Sequence, residues 1–526
     1  MTRNYVIAIG GTGARCAEAI IYLAAAGLFH KPMQILIIDP DQNNGNSVRV
    51  RTLLNSYHEL QQAHQPPEAE TKKFMRTAKL LPPELFQLPL NVRGGGGQHS
   101  IFWHNPNNAQ RRFGEIIKYQ AQEDTLKNFL DLFYEPADLE MSLDVGYRGR
   151  TNVGAVALKL DMERTIGTES NELRELIGNL NTDLQTEEAR VFVMGSVFGG
   201  TGAAGLPTVP SLIAGLPDAA LSKENRKKVR YGCAMMTPYF AFPKGSSVNG
   251  PGTDSTRHAI ATQAALLHYA HVPPGYQHIY FIGAPTRPLT NDRNVIGGEN
   301  QTNAPHYAEL VAGLAAWQFF ELKQIRGTDQ QLHFADSLKK GKDEVGVNWD
   351  TLPVHLEHSP ARETIKRRLA ILTTLSYFYK NFLHPEFGQG KYQDTMWYRN
   401  NFGALSLTED LPRLQHLYAF CDSYLGWLAS IGTTGQNANM HLFHFNAFGE
   451  RVQDDRQLAR DFISSLLDDP SGSNAKRSKN GYDEIMGNLN NLQLTKPGTD
   501  SAAGLFIYLL HDSIAKFCGE NYAWRS

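Results

Sequence analysis

Cysteine is scarce, charge is balanced and long apolar runs are missing, and each absence removes a class of protein. The 526 residues hold four cysteines, Cys16, Cys233, Cys421 and Cys518, too far apart for paired metal-ligand spacing. That spacing argues against a disulfide framework or a zinc site and for a reducing, cytoplasmic compartment. The 51 basic side chains face 53 acidic ones, a formal net charge of −2. Such a balance offers no general attraction to nucleic acid or to an anionic membrane. No stretch is apolar for long enough to cross a bilayer, and the opening run Asn4 to Ile9 is too short for a signal-peptide core. We therefore expect neither an integral membrane segment nor a targeting segment.

What is present describes an ordinary globular chain, 41% hydrophobic, 20% charged and 10% aromatic. Its length exceeds what one core usually supports, so a large domain with a smaller second one is expected.

Glycine is concentrated where it carries meaning. Val191 to Met194 reads as a buried strand and runs into Gly199-Gly-Thr-Gly-Ala-Ala-Gly205, after which an apolar segment opens with Pro207, as a helix start allows. Glycines there permit positive φ, so successive backbone N–H groups can converge on an anion above a helix N-terminus. A tight turn that only packs a helix on a sheet would read the same way. Other loops decide between them.

Two do. Tyr5 to Ile9 meets Gly10-Gly-Thr-Gly13, with Arg15 just beyond, and a helical stretch from Ala14 to Leu28 follows. Gln34 to Ile38 is the next buried strand and ends on Asp39-Pro-Asp41, where a carboxylate can meet a ribose hydroxyl or a metal-bound phosphate. Leu139 to Val145 alternates like a strand and leads into Gly146-Tyr-Arg-Gly-Arg-Thr-Asn-Val-Gly154, whose Arg148 and Arg150 flank Gly149. Guanidinium groups so placed can bind phosphate oxygens bidentately; singly, they read equally as solvated arginines.

Between about 42 and 136 the strand–helix alternation lapses. The four glycines Gly94 to Gly97 have no strand before them and no helix after, which suits a flexible loop. Strands at Val229 to Met236 and His278 to Ile282, with helices near 254–270 and 305–325, restore it. Past Gly327 comes a charged, Lys-rich linker, then helices near 362–382, 411–431, 456–467 and 502–517, with short strands near 402–407 and 440–445. The expected fold class is α/β, a doubly wound, mainly parallel sheet, joined to a largely helical second domain.

Three glycine turns in this order resemble the nucleotide domain of the tubulin/FtsZ superfamily, closest to its divergent bacterial FtsZ-like members. The match spans about residues 1–325, with 42–136 as an insertion, and leaves 326–526 as a helical C-terminal domain. The resemblance implies GTP or GDP, with or without Mg²⁺, held by Gly10, Gly11, Thr12, Gly13, Arg15, Asp39, Asp41, Arg148, Gly149, Arg150, Gly199, Gly200, Thr201, Gly202 and Ala203. Pro238, in Thr237-Pro-Tyr-Phe240, matches the loop that closes over the ribose, and Tyr307 opens the helix matching the family's central one. The family reads guanine with Asn or Asp one turn beyond an aromatic residue. Here Val311 follows Tyr307 and Leu310 follows His306, so Asn300, Asn303 or Glu309 would have to substitute.

The family's polymers complete hydrolysis with an acidic loop from the neighbouring subunit. The candidates are Asp336, in His333-Phe-Ala-Asp336, and Asn348 with Asp350, in Asn348-Trp-Asp350; neither segment is a full match. Such a carboxylate would orient the attacking water while loop amides stabilise the developing charge. The resemblance implies head-to-tail self-assembly into filaments or rings, with any GTPase activity dependent on assembly, and leaves protein partners to the C-terminal domain. The rivals are a nucleotide-free scaffold of the same fold and a nicotinamide oxidoreductase. The latter expects a third glycine or alanine where Cys16 stands.

Overall fold

The computed structural model describes residues 3–41, 43–64, 84–91, 102–103, 111–144, 146–166, 171–240, 255–284, 298–325, 330–335, 338–340, 343–353, 361–387, 389–402, 407–435, 440–449, 455–468, 480–492 and 501–522. Gly94 to Gly97 and Asp336 lie outside them.

Seven parallel strands form one sheet: β1 (Asn4–Ile9), β2 (Met33–Ile38), β3 (Phe102–Trp103), β4 (Ala189–Ser196), β5 (Val229–Met236), β6 (His278–Ile282) and β7 (Gln331–Ala335). Their spatial order is β3-β2-β1-β4-β5-β6-β7. β1 is the pivot, pairing Val6 with Ile35 on one side and with Phe192 on the other. The chain winds outward from β1 in one direction and then, from β4, in the other. That reversal opens a crevice at the C-terminal ends of β1 and β4, where open α/β sheets bind ligands.

Both faces of the sheet are covered, which is why its strands are continuous apolar runs rather than alternating ones. Val6, Ala8, Ile35 and Phe192 point into one core with α1 (Gly10–Ala25), α2 (Gly45–His64) and α7 (Tyr307–Glu321). Tyr5, Ile7, Leu36 and Val193 point into the other, with α3 (Thr151–Ile166), α4 (Glu172–Asp183), α5 (Gly200–Gly215) and α6 (Ser255–His271). Every residue of α7 except Glu321 is buried. The first core continues without a break into α8 (Ala361–Phe378), α9 (Leu411–Gly435), α10 (Gly481–Asn491) and α11 (Ala502–Asn521). Tyr22 of α1 is the joint: its ring packs 4.9 Å from Trp427 and 5.2 Å from Tyr424 of α9.

Several local expectations give way. Of the expected strand Leu139 to Val145, residues 139–144 are described and form no strand. Pro136–Leu139 is a short helix held by a capping box of Glu135 and Asp138, and only Ser142 makes an isolated bridge, to Arg112. Gln331–Ala335, expected within a linker, is the seventh strand because Leu332 aligns with Ile279 and Phe334 with Phe281 of β6. Phe402 caps the helix Met396–Asn401 rather than starting a strand, and 403–406 lie outside the described residues. Around 440–445 only isolated bridges form, from His441 and Phe443. Within 42–136, α2 and β3 are regular elements.

The largest shift concerns α5, which starts at Gly200 and carries Pro207 and Pro210 inside it. Each proline lacks the N–H that would bond the carbonyl four residues earlier. Tyr269 Oη donates instead to Ala203 O at 2.6 Å, and Tyr276 Oη donates to Leu206 O. Two tyrosines, one in α6 and one in the connection from α6 to β6, thus satisfy the carbonyls that the prolines leave open.

Candidate functional site

Three turns meet at the C-terminal edge of β1 and β4. Gly10 turns the chain out of β1 with φ +69°, and Gly146, Arg148 and Gly149 take φ values of +81°, +46° and +78° ahead of α3. A Cβ placed on Gly10 would lie 3.2 Å from Thr201 Cβ, and one on Gly146 would lie 3.6 Å from Thr201 Oγ1. One on Gly200 would sit 2.9 Å from Gly149 N and 3.2 Å from Arg150 N. The turns before α1, α3 and α5 therefore touch one another around Thr201.

This is also where helix amides are left open. Ile9 caps α1 and Gly199 caps α5, and neither offers a side-chain hydrogen bond to the first turn. The first N–H groups of a helix have no intrahelical acceptor, and they sit at the positive end of its dipole. Gly11, Thr12, Gly149, Gly199 and Thr201 are half-buried, so these ends line a cleft.

Glycines of the same motifs do a second job. A Cβ on Gly202 would fall 2.5 Å from Ser196 O, and one on Gly13 would fall 2.8 Å from Ala8 C and from Met194 O. Both are buried, as is Ala203. These positions let α1 and α5 close onto their strands, as the buried Gly10 and Gly200 let the turns close onto one another, whereas Gly11 and Gly199 are half-buried.

The acidic turn after β2 joins the same place. A Cβ on Gly11 would lie 3.2 Å from Asn44 Nδ2. Asp39 accepts hydrogen bonds from Asp41 N at 3.1 Å and Asn44 Nδ2 at 3.3 Å, and Asp41 accepts them from Asn43 N at 3.0 Å and Gly298 N at 2.6 Å. Burial pushes the Asp39 carboxyl up to about 8, partly offset by the Asp41 backbone bond and reinforced by the Asp41 charge. Asn44 donates to Gln301 Oε1 at 2.7 Å, while Asn46 donates to Asn303 Oδ1 at 3.2 Å and accepts from Asn303 N at 3.0 Å. Sequence reading overlooked Asn44, Asn46 and Gln301. The cue was available in Asn43-Asn-Gly-Asn46 directly behind Asp41.

The cationic candidates are engaged elsewhere. Arg15 is buried, ion-paired with the fully buried Glu309, and donates to Ala304 O at 3.2 Å. Its guanidinium carbon lies 5.6 Å from the Tyr239 ring centroid, and Tyr239 Oη donates to Glu309 at 3.0 Å. Burial raises the Glu309 carboxyl while Arg15 lowers it. Arg15 thus braces α1 against α7 beneath the cleft. Arg148 pairs with Asp144 at 3.5 Å, and Arg150 pairs with Asp138. Pro238 is buried in the turn after β5, and Tyr307 is buried with its N–H on Thr434 Oγ1 at 3.3 Å.

Of the proposed catalytic residues, Asn348 and Asp350 share one turn, in which Asn348 Oδ1 accepts from Asp350 N at 2.9 Å and Thr351 N at 3.0 Å. Trp349 anchors that turn against Phe443 at 5.4 Å, and Asp350 is exposed. Among the described residues no hydrogen bond or ion pair joins this turn to the glycine turns, and no group of three or more metal-ligating side chains forms. No described helix is long and apolar enough to cross a membrane.

No protein-family model, curated protein or solved structure matches the chain.

Proposed function

We propose that the chain binds a guanine nucleotide, GTP or GDP, in the cleft between the α1, α3 and α5 turns, as a tubulin/FtsZ-like protein that assembles head-to-tail. The observation carrying this reading is the meeting of Gly10 and Gly146 at Thr201, at the point where the sheet reverses its winding. A phosphate there would be held by backbone amides and two helix N-termini rather than by arginine side chains. Mg²⁺ would be held mainly through the phosphates, since each carboxylate oxygen of Asp39 and Asp41 already accepts a hydrogen bond.

Hydrolysis on this reading belongs to the assembled state, with Asp336 or the Asn348–Asp350 turn of a neighbouring copy orienting water. Asp350 is exposed, as a residue acting across an interface must be. A scaffold that binds nucleotide without hydrolysing it is the second reading. It is favoured by the Asn348 side chain, which is spent on its own turn.

The test is the nucleotide carried through purification, separated by ion-exchange chromatography, together with pelleting in GTP and in GDP. Thr12→Glu places a carboxylate at the half-buried mouth without a steric demand on the core. It should lower nucleotide affinity at least tenfold and leave the far-UV circular dichroism unchanged. Unchanged affinity, or NAD in the eluate, would refute the proposal.

A further inference from the structure

β7 ends the sheet, and among the described residues no strand pairs with its outer side. The hairpin Leu338–Lys340 and Asp343–Val345 that follows pairs only with itself. Gln331 N donates to Gln277 O at 2.7 Å, so Gln331 and, by alternation along the strand, His333 turn their backbone groups to β6. Leu332 and Phe334 therefore turn their N–H and C=O groups outward. Neither makes a backbone hydrogen bond to any other described element.

The same two residues carry exposed apolar side chains, Leu332 at 50% and Phe334 at 73%. Phe334 stacks on Phe281 of β6 at 5.3 Å with the rings 14° from parallel, on the face of the sheet that α6 covers through Ala265 and Tyr269. The outward side of α6 is of the same kind. Ile260 is 61% exposed and Leu267 55%, and no Asp, Glu, Lys or Arg occurs from His258 to Val272. Depletion of charge is the mark of an interface core. Folded proteins guard a free edge with lysine, proline or a bulge. β7 contains no lysine or proline and pairs with β6 in unbroken register, so nothing in it turns away another extended strand.

That strand is complementary to itself. About a two-fold axis at His333, antiparallel pairing sets Leu332 opposite Phe334 of the second copy and Phe334 opposite its Leu332. Both are hydrogen-bonded pairs, so every outward N–H and C=O of the two residues finds a partner, and an aliphatic side chain meets an aromatic one at both positions. Moving the axis to Leu332 would set Phe334 opposite the exposed Gln330 instead. We propose that β7 pairs antiparallel with β7 of a second copy, joining two seven-stranded sheets edge to edge in an isologous dimer. Two copies use up the contact, so it closes where head-to-tail assembly propagates. β5 and β6 separate β7 from the cleft, and the pairing needs no nucleotide.

All four native cysteines are buried, so introduced thiols report cleanly. Leu332→Cys and Phe334→Cys would be made in the full chain and oxidised, separately and mixed, in buffer without GTP. Opposed residues of a hydrogen-bonded antiparallel pair stand about 5.5 Å apart at Cα, within disulfide reach. Residue 332 and its own copy are offset along the strands and lie beyond it. The expected result is a disulfide-linked dimer in the mixture, little from either variant alone, and a double variant that stops at dimer. No linked dimer in any sample, equal linking by the single variants, or a ladder of multimers from the double variant would overturn the proposal. As a second measurement, Leu332→Pro removes an outward donor and no bond to β6. It should turn dimer into monomer in sedimentation velocity with far-UV circular dichroism unchanged. Phe334→Lys, which sets a charge on the edge without touching the backbone, should do the same. A monomeric parent, or dimer surviving both changes, would overturn the proposal as well.

Discussion

Gly202→Ala separates packing from ligand chemistry in the glycine turn before α5. The added methyl would stand 2.5 Å from Ser196 O, 2.6 Å from Ser196 N and 2.9 Å from Ser196 Oγ. The first two are backbone atoms of β4, so no rotamer change relieves the clash, and α5 must lift off its strand. Overpacking of this kind costs about 1–3 kcal/mol. Alanine returns about 1 kcal/mol of helix propensity, which lowers the net cost but does not cancel it at the upper end. Gly178→Ala in α4 is the control, because a Cβ there meets nothing within 4 Å. That change should stabilise by about 1 kcal/mol through propensity alone. The assay is urea denaturation followed by tryptophan fluorescence, with the slope compared between variants. If Gly202→Ala proves as stabilising as Gly178→Ala, with no overpacking cost to set against the propensity gain, the close approach of α5 to β4 is wrong. Gly202 is therefore unsuited as a probe of ligand binding, since loss of nucleotide in its variants would follow from displaced packing.

Three other outcomes follow from contacts in the same region. Arg15→Met leaves Glu309 buried without its cation and should destabilise by about 3–5 kcal/mol in urea, whereas Arg15→Met with Glu309→Leu should recover much of the loss. Asp39 has a folded-state pKa near 8 against an ordinary 3.8, so the folded chain holds a proton that the unfolded chain has released. Its contribution to stability is present below about pH 4 and is lost as pH rises to about 8; Asp39→Asn should flatten the urea midpoint against pH across that window relative to the parent. Tyr269→Phe and Tyr276→Phe each strip the donor from a carbonyl left open by proline and should cost about 1–3 kcal/mol. Equal stability of either variant would mean that α5 does not depend on those hydroxyls.

Much of the site was legible because its signals are local. Gly10 to Gly13 and Gly199 to Gly205 follow apolar runs directly, and Asp39 and Asp41 close another, so strand end, turn and helix start can be read within a dozen residues. The turn before α3 was legible as glycine chemistry, yet the described residues 139–144 form no strand ahead of it. The alternation from Leu139 to Val145 matched a period, while Pro136 and the Glu135–Asp138 capping box had already begun a helix. Arg15, Arg148 and Arg150 were read as phosphate ligands from their position beside glycines. Their carboxylate partners settle where the side chains go, and Glu309 lies far along the chain.

The sequence alone determined the parallel α/β character, since continuous apolar strands with intervening helices bury both faces of a sheet. It also determined where the backbone could turn tightly enough to expose amides. Only the tertiary structure decided which turns share a cleft, that Gln331–Ala335 closes the sheet as its seventh strand, and that α5 runs through two prolines. Each of those outcomes depends on atoms brought from distant parts of the chain: β6 amides and carbonyls for β7, and Tyr269 and Tyr276 hydroxyls for α5. A residue's own neighbours set its conformational options, and the partners that folding delivers choose among them.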